Sequence, residues 1–178
     1  MRYQSSEAVR AATGRDWSEW FDLLDAAGAS RMTHKQITTW LHDNGHLSGM
    51  WCQAVVTTYE QETGRRQVGQ TCDGDWNAGA RRVVAAPPDH VFERWCDEVA
   101  GERSFNGVEL AGEPSVNITE RFHYWRATLA DGSRLDVNVY RSRKGEVSLN
   151  ISHKKLSSKQ ASDSWKTYWK SRIRTLTL

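Results

Sequence analysis

The chain has 178 residues, of which 38% are hydrophobic and 26% charged, and a net charge of +2. That composition suits one ordinary folded domain or two small ones, and it excludes a disordered or strongly polyionic protein. No apolar run approaches the roughly 20 residues that cross a bilayer, and the start, Met1-Arg2-Tyr3-Gln4-Ser5-Ser6, lacks the apolar core of a signal peptide. A cytoplasmic protein without a membrane role is expected. Cys52, Cys72 and Cys96 are odd in number and widely spaced, so neither a disulfide framework nor a Cys-x-x-Cys zinc site is indicated. Charge is unevenly spread: residues 1–66 are nearly neutral and 67–140 acidic, whereas 141–178 carry 10 basic and 2 acidic side chains.

The first third reads as helices. A short one is expected over Ser6 to Ala12. Thr13 with Asp16 three residues on suggests a cap for the next. Its apolar residues, Trp17, Trp20, Phe21, Leu24 and Ala27, fall at the i, i+3, i+4, i+7 positions of one face, and Gly28 suits its end. Thr33 and Gln36 form a capping box before Ile37, Trp40 and Leu41, with Asn44-Gly45 as the stop. Ser48 opens a last helix carrying Trp51, Cys52, Val55, Val56 and Tyr59, closed by Gly64. Each helix has a single apolar stripe, so they must pack on one another. A helix-turn-helix reading around Asn44-Gly45 fails, because the span from Ser48 to Glu62 holds no Lys or Arg to meet phosphates.

Residues 67–79 have several glycines and little periodicity, which makes them the expected linker between a helical domain, 1–66, and a second domain, 80–178. Asp73, Asp75 and Asn77 imitate the start of a calcium loop, but Ala78 replaces the required Gly and Val84 the required Glu. His34, His42, Asp43 and His46 lack a third ligand at metal spacing. No metal or other cofactor is expected.

The second domain begins with a short strand, Arg81 to Ala85, then a helix started by Pro87-Pro88-Asp89 that turns Val91, Phe92 and Trp95 inward. Phe105 to Leu110 is a further candidate strand. Trp125, Ala127 and Leu129 then alternate with polar residues up to the Asp131-Gly132 turn. Leu135, Val137 and Val139 alternate up to Lys144-Gly145, and Val147, Leu149 and Ile151 follow, with His153 continuing that face. Period two with one polar side describes an antiparallel sheet covered on one face. The cover is a C-terminal helix whose stripe is Ala161, Trp165, Tyr168, Trp169, Ile173 and Leu176, with Lys159, Lys166, Lys170 and Arg174 opposite. The fold class is therefore α+β: a small helical domain, then an antiparallel sheet with a terminal helix across it.

The strand, the Pro-started helix, the hairpin Ala130-Asp131-Gly132-Ser133-Arg134-Leu135-Asp136-Val137 and the terminal Trp165-Lys166-Thr167-Tyr168-Trp169-Lys170-Ser171-Arg172-Ile173 helix resemble the START-like (SRPBCC) superfamily. Within it they are most similar to the homologues of the activator of heat-shock protein 90 ATPase. Gly14-Arg15-Asp16-Trp17 through Tyr59-Glu60 resembles an uncharacterised bacterial helical domain often fused to such modules. The resemblance implies a helix-grip fold, here shortened, whose fuller members hold lipids, hormones or polyketides between sheet and helix.

Three functions follow as expectations. A non-catalytic module would hold a small apolar ligand against Trp125, Val137, Val139, Leu149, Ile151, His153, Trp165 and Trp169. A protein-interaction adaptor, as the chaperone-activator resemblance implies, would meet an acidic partner through Lys159, Lys166, Lys170 and Arg174. An enzyme would use His153 as a general base at a pocket mouth, near Glu120 and His123, but no nucleophile–base–acid set completes it. Nucleic acid is not expected as a partner: in the basic segment 141–178 the aromatics of the terminal helix lie opposite its lysines, so bases could not stack where phosphates bind.

Overall fold

The computed structural model describes residues 4–177. The chain folds as two compact units, parting between Gly74 and Asp75.

The first unit is helical: α1 (Ser6–Thr13), α2 (Trp17–Ala26), a single 3-10 turn at Ala29–Arg31, α3 (His34–Gly45) and α4 (Gly49–Glu62). The capping box at Thr33 and Gln36 forms as expected. Thr13 does not cap α2. It ends α1, and its hydroxyl accepts the indole N–H of Trp20 at 2.9 Å. The cap is Asp16, which with Glu19 closes a second capping box. A carboxylate accepts from the free N–H groups of a first turn better than threonine and also suits the helix dipole. Trp20, Leu24, Ile37, Leu41, Cys52, Val55, Val56 and Tyr59 make the buried core, while Trp17, Trp40 and Trp51 pack only partly against it.

The stretch 67–79 divides between the units. Arg66 closes back on Gln70, whose carboxamide donates to the carbonyl of Gly74. Residues 76–79 open the first strand, β1 (Trp76–Val84), which therefore starts well before the expected Arg81. Glycine and asparagine disguised this strand, yet Trp76, Ala78 and Ala80 alternate into the core.

The second unit continues with α5 (Pro88–Val99), a two-stranded hairpin β2 (Ser104–Phe105) and β3 (Val108–Glu109), then β4 (Ser115–Ile118), β5 (Phe122–Thr128), β6 (Arg134–Arg141), β7 (Val147–Leu156) and α6 (Lys159–Thr175). The main sheet is antiparallel with order β1-β7-β6-β5-β4, and β2-β3 stands apart from it. The single strand expected over Phe105 to Leu110 is thus a small hairpin, because Asn106 and Gly107 both adopt positive φ and reverse the chain.

Two helices divide the cover of the inner face. α6 lies over β1 and β7, and α5 lies over β5 and β6. One 17-residue helix cannot shield five strands, so Val91, Phe92 and Trp95 of α5 bury the remainder. The buried side chains of sheet and helices form one cluster from Trp76 to Leu176. Large apolar side chains each contribute roughly 2 kcal/mol on burial before entropy is subtracted.

A bulge finishes β7. Ala78 pairs with His153 and Trp76 with Leu156, so three steps on β7 match two on β1, with Lys155 at φ 61°. The extra residue restores the inward direction that strict alternation would deny Leu156, which is buried.

Candidate functional site

The residues expected to line a ligand space come together on the inner face and touch one another. Val137, Val139, Leu149 and Ile151 are buried on the central strands. Trp165 and Trp169, one turn apart on α6, stack with ring centroids 5.6 Å apart. Phe105 bridges them to the other half of the core, 5.5 Å from Trp169 and 6.0 Å from Trp125, and Trp125 meets Trp95 edge-on at 5.9 Å. Rings at these separations fill the space between them. Phe105, in the β2-β3 hairpin, had no sequence signal for this position.

His153 is at the centre, not at a rim. Its ring lies 4.3 Å from that of Trp165, and it has no solvent exposure. The indole Nε1–H of Trp169 donates to Nδ1 at 3.2 Å. An indole can only donate, so Nδ1 carries no proton and the proton of the neutral imidazole is on Nε2. Nε2 donates to Oγ of Ser133 at 2.7 Å, and Ser133 Oγ donates to Oδ1 of Asp131 at 2.6 Å. Burial pushes the imidazole down to about 4, with the Asp131 charge opposing in part.

That chain contains serine, histidine and aspartate, but it does not make a nucleophile. The nitrogen facing Ser133 is a donor and cannot take the serine proton, and the other nitrogen is occupied by Trp169. Glu120 and His123 do not join it. Glu120 is exposed, and His123 is held by Phe92, at 5.3 Å between rings, and by Asp89, at 3.2 Å from Nε2. The arrangement instead ties α6, β7 and the β5–β6 turn into one satisfied polar path through the core.

The lysine set of α6 divides. Lys166 sits 3.5 Å from Asp163, and Lys159 is in the first turn. Lys170 and Arg174 line a concavity of about 290 Å³ with Ile173 and two β1 residues, Arg81 and Arg82. Arg82 donates to the carbonyls of Ile173 and Leu176 at 3.0 and 2.6 Å, holding the end of α6 where a cation suits the dipole. Arg81 donates to Ser148 Oγ at 2.9 Å. Among the described residues, none of these four cations is ion-paired, in contrast to Arg172, which reaches Glu102 at 2.6 Å. Adjacent residues on a strand point to opposite faces, so nothing in the sequence placed Arg81 and Arg82 in one cleft.

Comparison with known protein families and with curated proteins finds no match to this chain. Among the described residues, no group of three or more His, Cys, Asp or Glu side chains is arranged to hold a metal ion, and no helix is long and apolar enough to cross a membrane.

Proposed function

We propose that this protein is a non-catalytic interaction module, START-like in its second unit, that docks an acidic segment of a partner protein in the cleft formed by Arg81, Arg82, Lys170 and Arg174. The single observation that carries this reading is the convergence of four cations from two elements around a concavity, with no carboxylate ion-paired to them among the described residues. A carboxylate-rich segment supplies the complementary potential. The closely packed rings between sheet and helices support an adaptor over a carrier, because a drug-sized ligand needs roughly 300–1,000 Å³. The test is titration of a labelled Glu-rich peptide at low salt. Micromolar binding that the Lys170→Glu/Arg174→Glu variant abolishes is expected, and equal binding by that variant would refute the docking site.

A second reading rests on one specific place. Beside the β4 edge, Cys96, Val99, Leu110, Val116 and Trp125 line a recess of about 260 Å³ whose wall also holds Glu102, Arg103 and Glu113. A small apolar ligand would sit there, against Trp125, and not between sheet and α6. Native mass spectrometry of protein purified from its source tests this reading: a retained small molecule that a Val99→Trp variant fails to retain would favour it.

A further inference from the structure

The outer face of the sheet is turned away from α5 and α6, and the reading above uses only its Arg81, at the β1 edge. On β5, Phe122, Tyr124 and Arg126 alternate with the inward His123, Trp125 and Ala127. Tyr140 of β6 is the register partner of Phe122. The rings of Phe122 and Tyr124 stack at 5.7 Å between centroids, and Tyr140 lies 5.3 Å from Phe122. All three rings are half-buried.

Cations share this face. The guanidinium of Arg126 lies over Tyr124, 4.4 Å from the ring centre. Arg134 of β6 and Lys154 of β7 are register partners, and with Arg126 they surround a depression of about 370 Å³. Asp136 is the carboxylate among these strand positions, and it holds Arg126 at 3.4 Å and Lys154 at 3.2 Å beside the rings. Glu113 at the rim is paired with Arg103 at 3.2 Å. Arg134 has no ion-pair partner among the described residues.

We propose that this outer face binds single-stranded nucleic acid. Unpaired bases stack on Phe122 and Tyr140, which Tyr124 backs, and phosphates lie along Arg126, Arg134 and Lys154. The terminal helix fails as such a surface because its rings and lysines point in opposite directions. On the sheet they share one face, as stacking and phosphate contact together require. Tyr124 lies between Phe122 and Arg126, so Phe122 and Tyr140 offer stacking to one or two nucleotides. A duplex keeps its bases stacked on each other and gains only the phosphate contacts. Arg81 of the cleft at the end of α6 borders this face through Ser148, the register partner of Tyr140, but Lys170 and Arg174 belong to α6 and distinguish the two sites.

The experiment is fluorescence anisotropy of the full chain at low salt with labelled U12 and dT12 and with a 12-base-pair duplex, a Glu-rich peptide serving as competitor. Either single strand should bind at least tenfold more tightly than the duplex, with affinity falling steeply as salt rises. Tyr124→Ala/Tyr140→Ala should weaken binding by about tenfold or more. Arg134→Glu, at an exposed residue with no ion-pair partner among the described residues, should also weaken binding if the tyrosine variant proves unstable. Lys170→Glu/Arg174→Glu should leave the single-strand affinity within twofold. Equal affinity for duplex and single strand would overturn the assignment. So would displacement by the acidic peptide at equal charge, or loss of binding through Lys170 and Arg174 alone.

Discussion

The indole of Trp169 donates to Nδ1 of His153, and this one bond fixes the protonation state of a fully buried imidazole. A protonated His153 would turn a donor toward a donor. The helix therefore demands a neutral histidine, and folding becomes coupled to pH.

The sign is definite. An unfolded histidine titrates near 6.5, and His153 in the folded chain is pushed down to about 4 by burial. Above pH 6.5 both states are neutral there and the side chain contributes no pH dependence. Between pH 6.5 and 4 the unfolded chain takes up a proton that the folded chain refuses, so stability falls as pH falls, by about 3 kcal/mol in all. Urea unfolding of the wild type and of His153→Gln at pH 7 and pH 4.5 checks this. A wild type that loses no more stability than the variant would show that the imidazole is not held neutral.

Ser133→Ala should cost about 2 kcal/mol, more than the loss of a surface hydroxyl. Ser133 is 1% exposed and accepts from His153 Nε2, so alanine leaves a buried N–H without a partner. Loss of the serine also frees Asp131 Oδ1, but that oxygen keeps the backbone N–H of residue 133. The measurement is the shift in urea midpoint at unchanged slope. A change below about 0.5 kcal/mol would mean that the histidine proton is elsewhere.

Removal of residues 158–178 should yield insoluble protein. Trp165, Trp169, Ile173 and Leu176 leave the core together, and Leu149, Ile151 and the unpaired Nδ1 of His153 are uncovered on β7. At roughly 2 kcal/mol for each large side chain, the loss matches the whole stability of an ordinary domain. A soluble truncated form that melts cooperatively would show that α5 alone can close the sheet.

The sheet and its terminal helix were legible because their signals are periodic. Leu135, Val137 and Val139 repeat every two residues, and Trp165, Trp169 and Ile173 every four, so each element declares its buried face locally. The partition of the inner face between α5 and α6 was not legible, since both helices carry an apolar stripe and only the width of the sheet decides what each one covers. Thr13 and Asp16 illustrate a closer competition. Both are capping residues within one turn of α2, and the reciprocal bond that the Asp16 backbone N–H donates to the Glu19 carboxylate settles it. His153 was correctly placed on the inward face, but its partners Trp169 and Ser133 are 16 and 20 residues away and no spacing rule connects them. The cleft at Arg81 and Arg82 depends on how the end of α6 meets β1, which is likewise a tertiary fact.

The bulge at the end of β7 is the least legible feature and gives the last test. Lys155 adopts φ 61°, where an L side chain crowds its own carbonyl at a cost of about 1–2 kcal/mol relative to glycine. Glycine loses some of that advantage through the greater freedom of its unfolded chain. Lys155→Gly should therefore stabilise the second unit by about 0.5–1 kcal/mol. Lys155→Val, whose branched Cβ tolerates positive φ worst, should destabilise it by more than 1 kcal/mol. Thermal melting of the two variants beside the wild type decides the matter. The order Gly above Lys above Val locates the left-handed residue at 155, whereas a stabilising valine would mean that β7 runs straight, with Leu156 on the outer face.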